Sequence, residues 1–117
     1  TVLTSLGDED MSALGVFGGV ADQVMRMAEL VHGAGADGIV CASHEASAMR
    51  GAFGPDFTLV TPGVRPAGSE SGDQKRVMTP AQAVAAGADY LVIGRPITGS
   101  DDPAAAARAH GPARTRQ

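Results

Sequence analysis

Two arginines stand at comparable places in the chain. Arg65 belongs to Thr61-Pro62-Gly63-Val64-Arg65-Pro66, just past an apolar run at 57–61. Arg95 belongs to Gly94-Arg95-Pro96-Ile97-Thr98, just past an apolar run at 90–94. A guanidinium offers a planar fork of donors that fits phosphate oxygens two at a time. Gln74, in Gly72-Asp73-Gln74, adds a neutral amide donor between the two. Gly94 lets a ligand approach the backbone and leaves an N–H to donate. Thr4 closes a further apolar run at 1–4 and presents a hydroxyl there. Such a set suits an anion, and a phosphate above all. Taken alone, Arg65 reads as a surface or salt-bridging arginine, and Thr4 as a strand-end hydroxyl. Their joint placement favours the phosphate.

Other chemistry-bearing residues read more plainly. Cys41 is expected to be a small buried hydrophobe. His44-Glu45 fits the first turn of a helix, with Glu45 complementing the dipole. His32 and His110 read as helix-surface residues. Asp8, Glu9 and Asp10 read as solvated residues near a helix start rather than metal ligands. The five methionines read mostly as filler.

The elements that must position these groups follow from the pattern. Four short runs, 1–4, 38–42, 57–61 and 90–94, are apolar on consecutive residues, as in strands buried on both faces of a parallel sheet. Between them lies helical pattern. Val20, Val24, Met27 and Val31 form one apolar stripe. A shorter helix is expected over 45–49. Thr79-Pro80 opens another with an N-cap hydroxyl and a first-turn proline, and Gly87 stops it. Asp101-Asp102-Pro103 opens a final alanine-rich helix. Strand and helix thus alternate four times, which implies α/β architecture with right-handed crossovers. Four such units make half of an eight-unit barrel or a small open sheet. In either, ligands bind at the C-terminal ends of the strands, where Thr4, Arg65 and Arg95 lie. The long loop 63–77, rich in Gly, Ser and charge, is a functional candidate.

Composition bounds the function. The chain has 117 residues, enough for one small domain, and a formal charge of -4, which argues against non-specific nucleic-acid binding. No apolar run is long enough to cross a membrane, and a single cysteine allows no disulfide framework within the chain. A cytoplasmic protein is expected. With one Tyr, three Phe and no Trp, large core anchors are few, and the chain reads as a piece rather than a whole.

The string TPGVRP, then SGDQKR with a following TP helix start, then DYLVIGRPIT, is similar to the C-terminal half of bacterial orotidine 5′-phosphate decarboxylases. VLTS at the start resembles that family's fifth strand, and GADGIVCASHEA its sixth. The resemblance covers residues 1–110 and leaves 111–117 as a tail expected to be disordered. It implies that the four βα units are the C-terminal half of a (βα)8 TIM barrel. It further implies that Arg65, Gly94 and Arg95 bind the substrate phosphate, that Gln74 bridges phosphate and pyrimidine, and that Thr4 lines the nucleotide site. The loop 63–74 resembles the family's closing lid. The implied reaction is conversion of orotidine 5′-monophosphate to uridine 5′-monophosphate and CO2, in pyrimidine biosynthesis, without metal or organic cofactor, by a homodimer. The family's charged array, Asp-x-Lys-x-x-Asp with a second Asp from the partner subunit, is missing here. Lys75 is the sole lysine, so no catalytic residue is expected in this chain and no activity from it alone. Two alternatives stay open: a non-catalytic phosphate- or nucleotide-binding module, and another phosphate-binding barrel enzyme such as a sugar-phosphate isomerase or synthase.

Overall fold

In a computed structural model, which describes residues 1–65 and 78–110, the elements follow in the order α1 (Asp8–Ala13), α2 (Val20–Gly33), β1 (Gly38–Val40), α3 (Ser43–Phe53), β2 (Thr58–Thr61), α4 (Pro80–Ala86), β3 (Tyr90–Leu91), α5 (Arg95–Thr98) and α6 (Pro103–Ala109). The strands form one parallel sheet in the order β1-β2-β3. Gly38, Ile39 and Val40 pair with Thr58, Leu59 and Val60, and Val60 and Thr61 with Tyr90 and Leu91. The architecture is α/β with parallel strands and forms part of a barrel.

Residues 1–4 correct the expected count of strands. They lie beside β1, where the Thr1 amino group and Oγ1 both donate to Val40 O at 2.9 Å, but they join no ladder. A local turn wins instead, closed by Leu6 N donating to Leu3 O at 3.0 Å. The strands are also shorter than their apolar runs. Cys41 and Ala42 already lead into α3. β2 ends at Thr61, before Pro62, and β3 ends at Leu91, which pairs with Thr61.

The helices follow their punctuation. Gly35 (φ 90°) and Gly87 (φ 116°) end α2 and α4 in the left-handed region that favours glycine. Gly-Ala-Asp then leads each time into a strand, β1 or β3. α4 opens with the expected cap: Thr79 Oγ1 accepts from Gln82 N at 3.3 Å, and Gln82 Oε1 accepts from Thr79 N at 3.0 Å. α6 opens on Asp102, whose Oδ1 accepts from Ala105 N at 2.9 Å. α3 runs longer than expected because Gly51 is tolerated inside it, and the stop is Gly54 at φ 81°. The expected stripe on α2 holds only in part. Val20, Val24 and Ala28 are buried, Met27 is half-buried, and Val31 is exposed with the rest of 29–37.

The main core forms where Val20, Val24 and Ala28 of α2 and Ala46 and Met49 of α3 meet Ile39, Cys41, Phe57 and Leu59. A second cluster, Val64, Ala83 and Ala88, sits under α4.

Candidate functional site

The sheet has two chemically distinct ends. Among the described residues the buried polar and charged side chains are Thr4, Ser43, Glu45, Thr61 and Arg65. All five lie at or just beyond the C-terminal end of a strand or of the segment 1–4. Buried polar groups need partners, so gathering them at one end marks where polar chemistry is concentrated. In parallel α/β folds this is the ligand end.

The other end is occupied by a structural ion pair. Arg50 Nη2 meets Asp89 Oδ2 at 2.7 Å, and the same oxygen accepts from Leu59 N at 2.9 Å. Arg50 also donates to Gly54 O at 2.9 Å and to Phe57 O and Gly87 O, each at 2.7 Å. One guanidinium thus ties the end of α3 to the entrances of β2 and β3. Nothing in the sequence pointed to this pair, because its members stand 39 positions apart. The recurrence of Gly-Ala-Asp before β1 and β3 was the one available hint.

Arg65 is positioned from its backbone. Gly63 turns the chain at φ 74°, Val64 bridges Met78 in parallel, and Arg65 N donates to Met78 O at 2.9 Å. These contacts hold Val64 and Arg65 against Met78. The Arg65 side chain is 9% exposed, and its Nη1 donates to Val64 O at 2.9 Å. That bond uses one donor of a fork that has five.

Arg95 opens α5 and is exposed. Gly94 before it is also exposed, and a Cβ built there would meet nothing within 4 Å, so open space lies over its backbone. Gly94 O accepts from Ile97 N at 2.9 Å and from Thr98 N at 3.0 Å, which fixes the turn. Thr4 is buried, at 7% exposure. Gln74 lies outside the described residues, as do Lys75 and the tail 111–117.

The two arginines hold equivalent positions. β2 and β3 pair through Thr61 and Leu91, and Arg65 and Arg95 stand equally far beyond those two residues in the chain. They differ in exposure: Arg65 is buried and Arg95 is exposed.

The plainer readings fare well. Cys41 is 1% exposed within the main core. Glu45 stands in the first turn of α3, buried rather than solvated, beside an exposed His44. Asp8, Glu9 and Asp10 form the first turn of α1. Two of them have structural work, since Asp10 Oδ2 accepts from Gly7 N at 2.7 Å and Asp8 Oδ1 from Val20 N at 2.9 Å. His32 is exposed, but its ring packs on Phe53 and Phe57, with centroids 4.7 and 5.2 Å away. Among the described residues no three of His, Cys, Asp and Glu are grouped to hold a metal, and no helix is long and apolar enough to cross a membrane.

Known proteins resemble the chain along almost all of its length. It is 61% identical over 108 residues to the orotidine 5′-phosphate decarboxylase of Rhodospirillum rubrum, covering 92% of this chain and 44% of that protein. It is 56% identical over 106 residues to the enzyme of the same name from Shewanella sediminis, covering 91% and 45%. The crystal structure of orotidine 5′-phosphate decarboxylase from Lactobacillus acidophilus superposes with a TM-score of 0.76 at 36% identity, over 94% of this chain and 45% of that one. The chain therefore spans slightly under half the length of the relatives it matches. The model of the orotidine 5′-phosphate decarboxylase / HUMPS family matches residues 1–110. The matched stretch takes in both arginine turns and the sheet that carries them, and the chain belongs to that family.

Proposed function

We propose that this chain is the phosphate-binding half of an orotidine 5′-phosphate decarboxylase. The observation that carries the proposal is the equivalent placement of Arg65 and Arg95 beyond two paired strands, at the end of the sheet where the buried polar side chains gather. On this reading the two guanidinium groups grip the 5′-phosphate of orotidine or uridine 5′-monophosphate. Gly94 admits the phosphate to the backbone, Gln74 joins phosphate to pyrimidine, and Thr4 lines the nucleotide site. Residues 1–110 form the half-barrel.

The phosphate lies far from the carbon that loses CO2, so its binding energy is used to hold the substrate at the reacting centre. The electrostatic work at that carbon needs a lysine set among carboxylates. Lys75 is the sole lysine, and Asp-x-Lys-x-x-Asp does not occur in the sequence. The chain by itself is therefore proposed to bind nucleotide and not to decarboxylate it. The parent enzyme is proposed to be a cytoplasmic homodimer that uses no cofactor. The same lysine count favours a second reading, a nucleotide-binding module without catalysis.

Calorimetric titration with uridine 5′-monophosphate tests the grip. Arg95→Ala is expected to weaken binding by about tenfold or more, the scale of a lost charge-assisted hydrogen bond. Unchanged affinity removes Arg95 from the site. Adding the lysine-bearing N-terminal half of a relative, and following loss of orotidine 5′-monophosphate, separates the two readings. Restored decarboxylation supports the enzyme half, and continued inactivity of a complex that does form supports the module.

A further inference from the structure

The second hydrophobic cluster reaches both arginine turns. Its buried members are Val64, Ala83 and Ala88, and Leu91 and Ile93 pack against them. Val64 stands directly before Arg65, and Ile93 directly before Gly94 and Arg95. Ala83 lies in α4 and Ala88 just past it, with Ala88 N donating to Ala83 O at 3.1 Å. Arg65 is tied to the same helix by a second route. Its N donates to Met78 O at 2.9 Å, and Met78 directly precedes Thr79, the N-cap of α4. Its Nη1 donates to Val64 O at 2.9 Å, so Val64 holds the side chain as well as the backbone. On the other arm, Val92 N donates to Thr61 O at 2.9 Å, which joins the segment before Arg95 to the end of β2.

We infer that Val64 and Ile93 are positioning residues, which set the spacing of the two guanidinium groups through one shared apolar block on α4. The inference rests on the phosphate reading of Arg65 and Arg95 and names the residues that hold them. Neither side chain offers a polar group to a ligand, and each acts through the arginine turn that follows it. A phosphate is small and rigid, so two forks grip it together only at a narrow range of separations. An arginine also loses rotamer freedom when it binds, and a fixed mount lowers that cost. Close-packed interiors pass a displacement on to their neighbours. Shortening Val64 therefore lets the Arg65 turn shift relative to Arg95, and the two groups converge less well on one anion.

Calorimetric titration of the 117-residue chain with uridine 5′-monophosphate tests this. Val64→Ala is expected to weaken binding by about tenfold, within the roughly hundredfold that a misplacement of about 1 Å can cost. Val24→Ala makes the same change at an equally buried site on α2, in the main core. It is expected to lower the thermal midpoint comparably and to leave affinity unchanged. In an Arg65→Ala background, Val64→Ala is expected to weaken binding no further, because the group it positions is gone. Should Val64→Ala fail to fold, Ile93→Val removes one methyl group from a half-buried site. It is expected to weaken binding, and to lose that effect in an Arg95→Ala background. Arginine variants that bind weakly beside Val64→Ala and Ile93→Val variants that bind normally overturn the inference and leave the phosphate reading standing. So do losses that add fully in the double variants, or an equal loss in Val24→Ala. Arginine variants with unchanged affinity, or an unmodified chain that binds no nucleotide, remove the phosphate reading and this inference with it.

Discussion

Asp89 and Arg50 together fasten the entrances of β2 and β3. Asp89 Oδ2 takes a bond from Leu59 N and one from Arg50, and Arg50 donates to three further acceptors, Gly54 O, Phe57 O and Gly87 O. Asp89→Ala is expected to lower stability by about 3 kcal/mol, the scale of two hydrogen bonds to a charged group, reduced because Arg50 keeps some access to water. Asp89→Asn keeps an acceptor for Leu59 N and is expected to cost less. Urea unfolding checks both, as a lower midpoint at constant slope. Arg95→Ala makes the contrasting case. An exposed side chain at the mouth is expected to change stability by less than about 0.5 kcal/mol while nucleotide affinity falls. The arginines were legible in the sequence because Gly, Pro and Thr punctuate the strand ends around them. The Arg50–Asp89 pair was not, because its partners meet only once the helix and strands are packed.

At the scale of elements, local signals were reliable where they were self-contained. Thr79 caps α4 as its sequence indicates, and Thr79→Ala is expected to cost about 1 kcal/mol, measured by the same unfolding. Gly35, Gly54 and Gly87 end their helices through positive φ. Strand lengths were less legible, because a strand needs a neighbour and apolar composition alone does not provide one. Residues 1–4 have strand-like composition, yet turn at Leu3–Leu6. β3 stops at Leu91, opposite Thr61, the last residue of β2. The bridge between Val64 and Met78 shows the same dependence on a partner, since its two residues stand far apart in the chain. Removing a core contact, as in Leu59→Ala, is expected to cost about 2–5 kcal/mol, seen as a fall in the thermal midpoint.

At the scale of the whole molecule, the alternation of strands and helices was enough to indicate a parallel α/β sheet, and the family resemblance supplied the barrel. What composition could not reveal is how the molecule divides its ion pair and its buried polar side chains between opposite ends of the sheet. The ion pair and the packed aromatic rings lie toward the strand entrances, while the buried hydroxyls, Glu45 and Arg65 lie toward the exits. Proteins usually trade robustness against activity because the groups that bind ligand are themselves strained or poorly satisfied. Here the groups proposed to bind ligand are separated from the anchor by the length of the strands. A heat-tolerant version could therefore be sought by reinforcing the floor around Arg50 alone, with the roof and its proposed affinity for nucleotide left as they are.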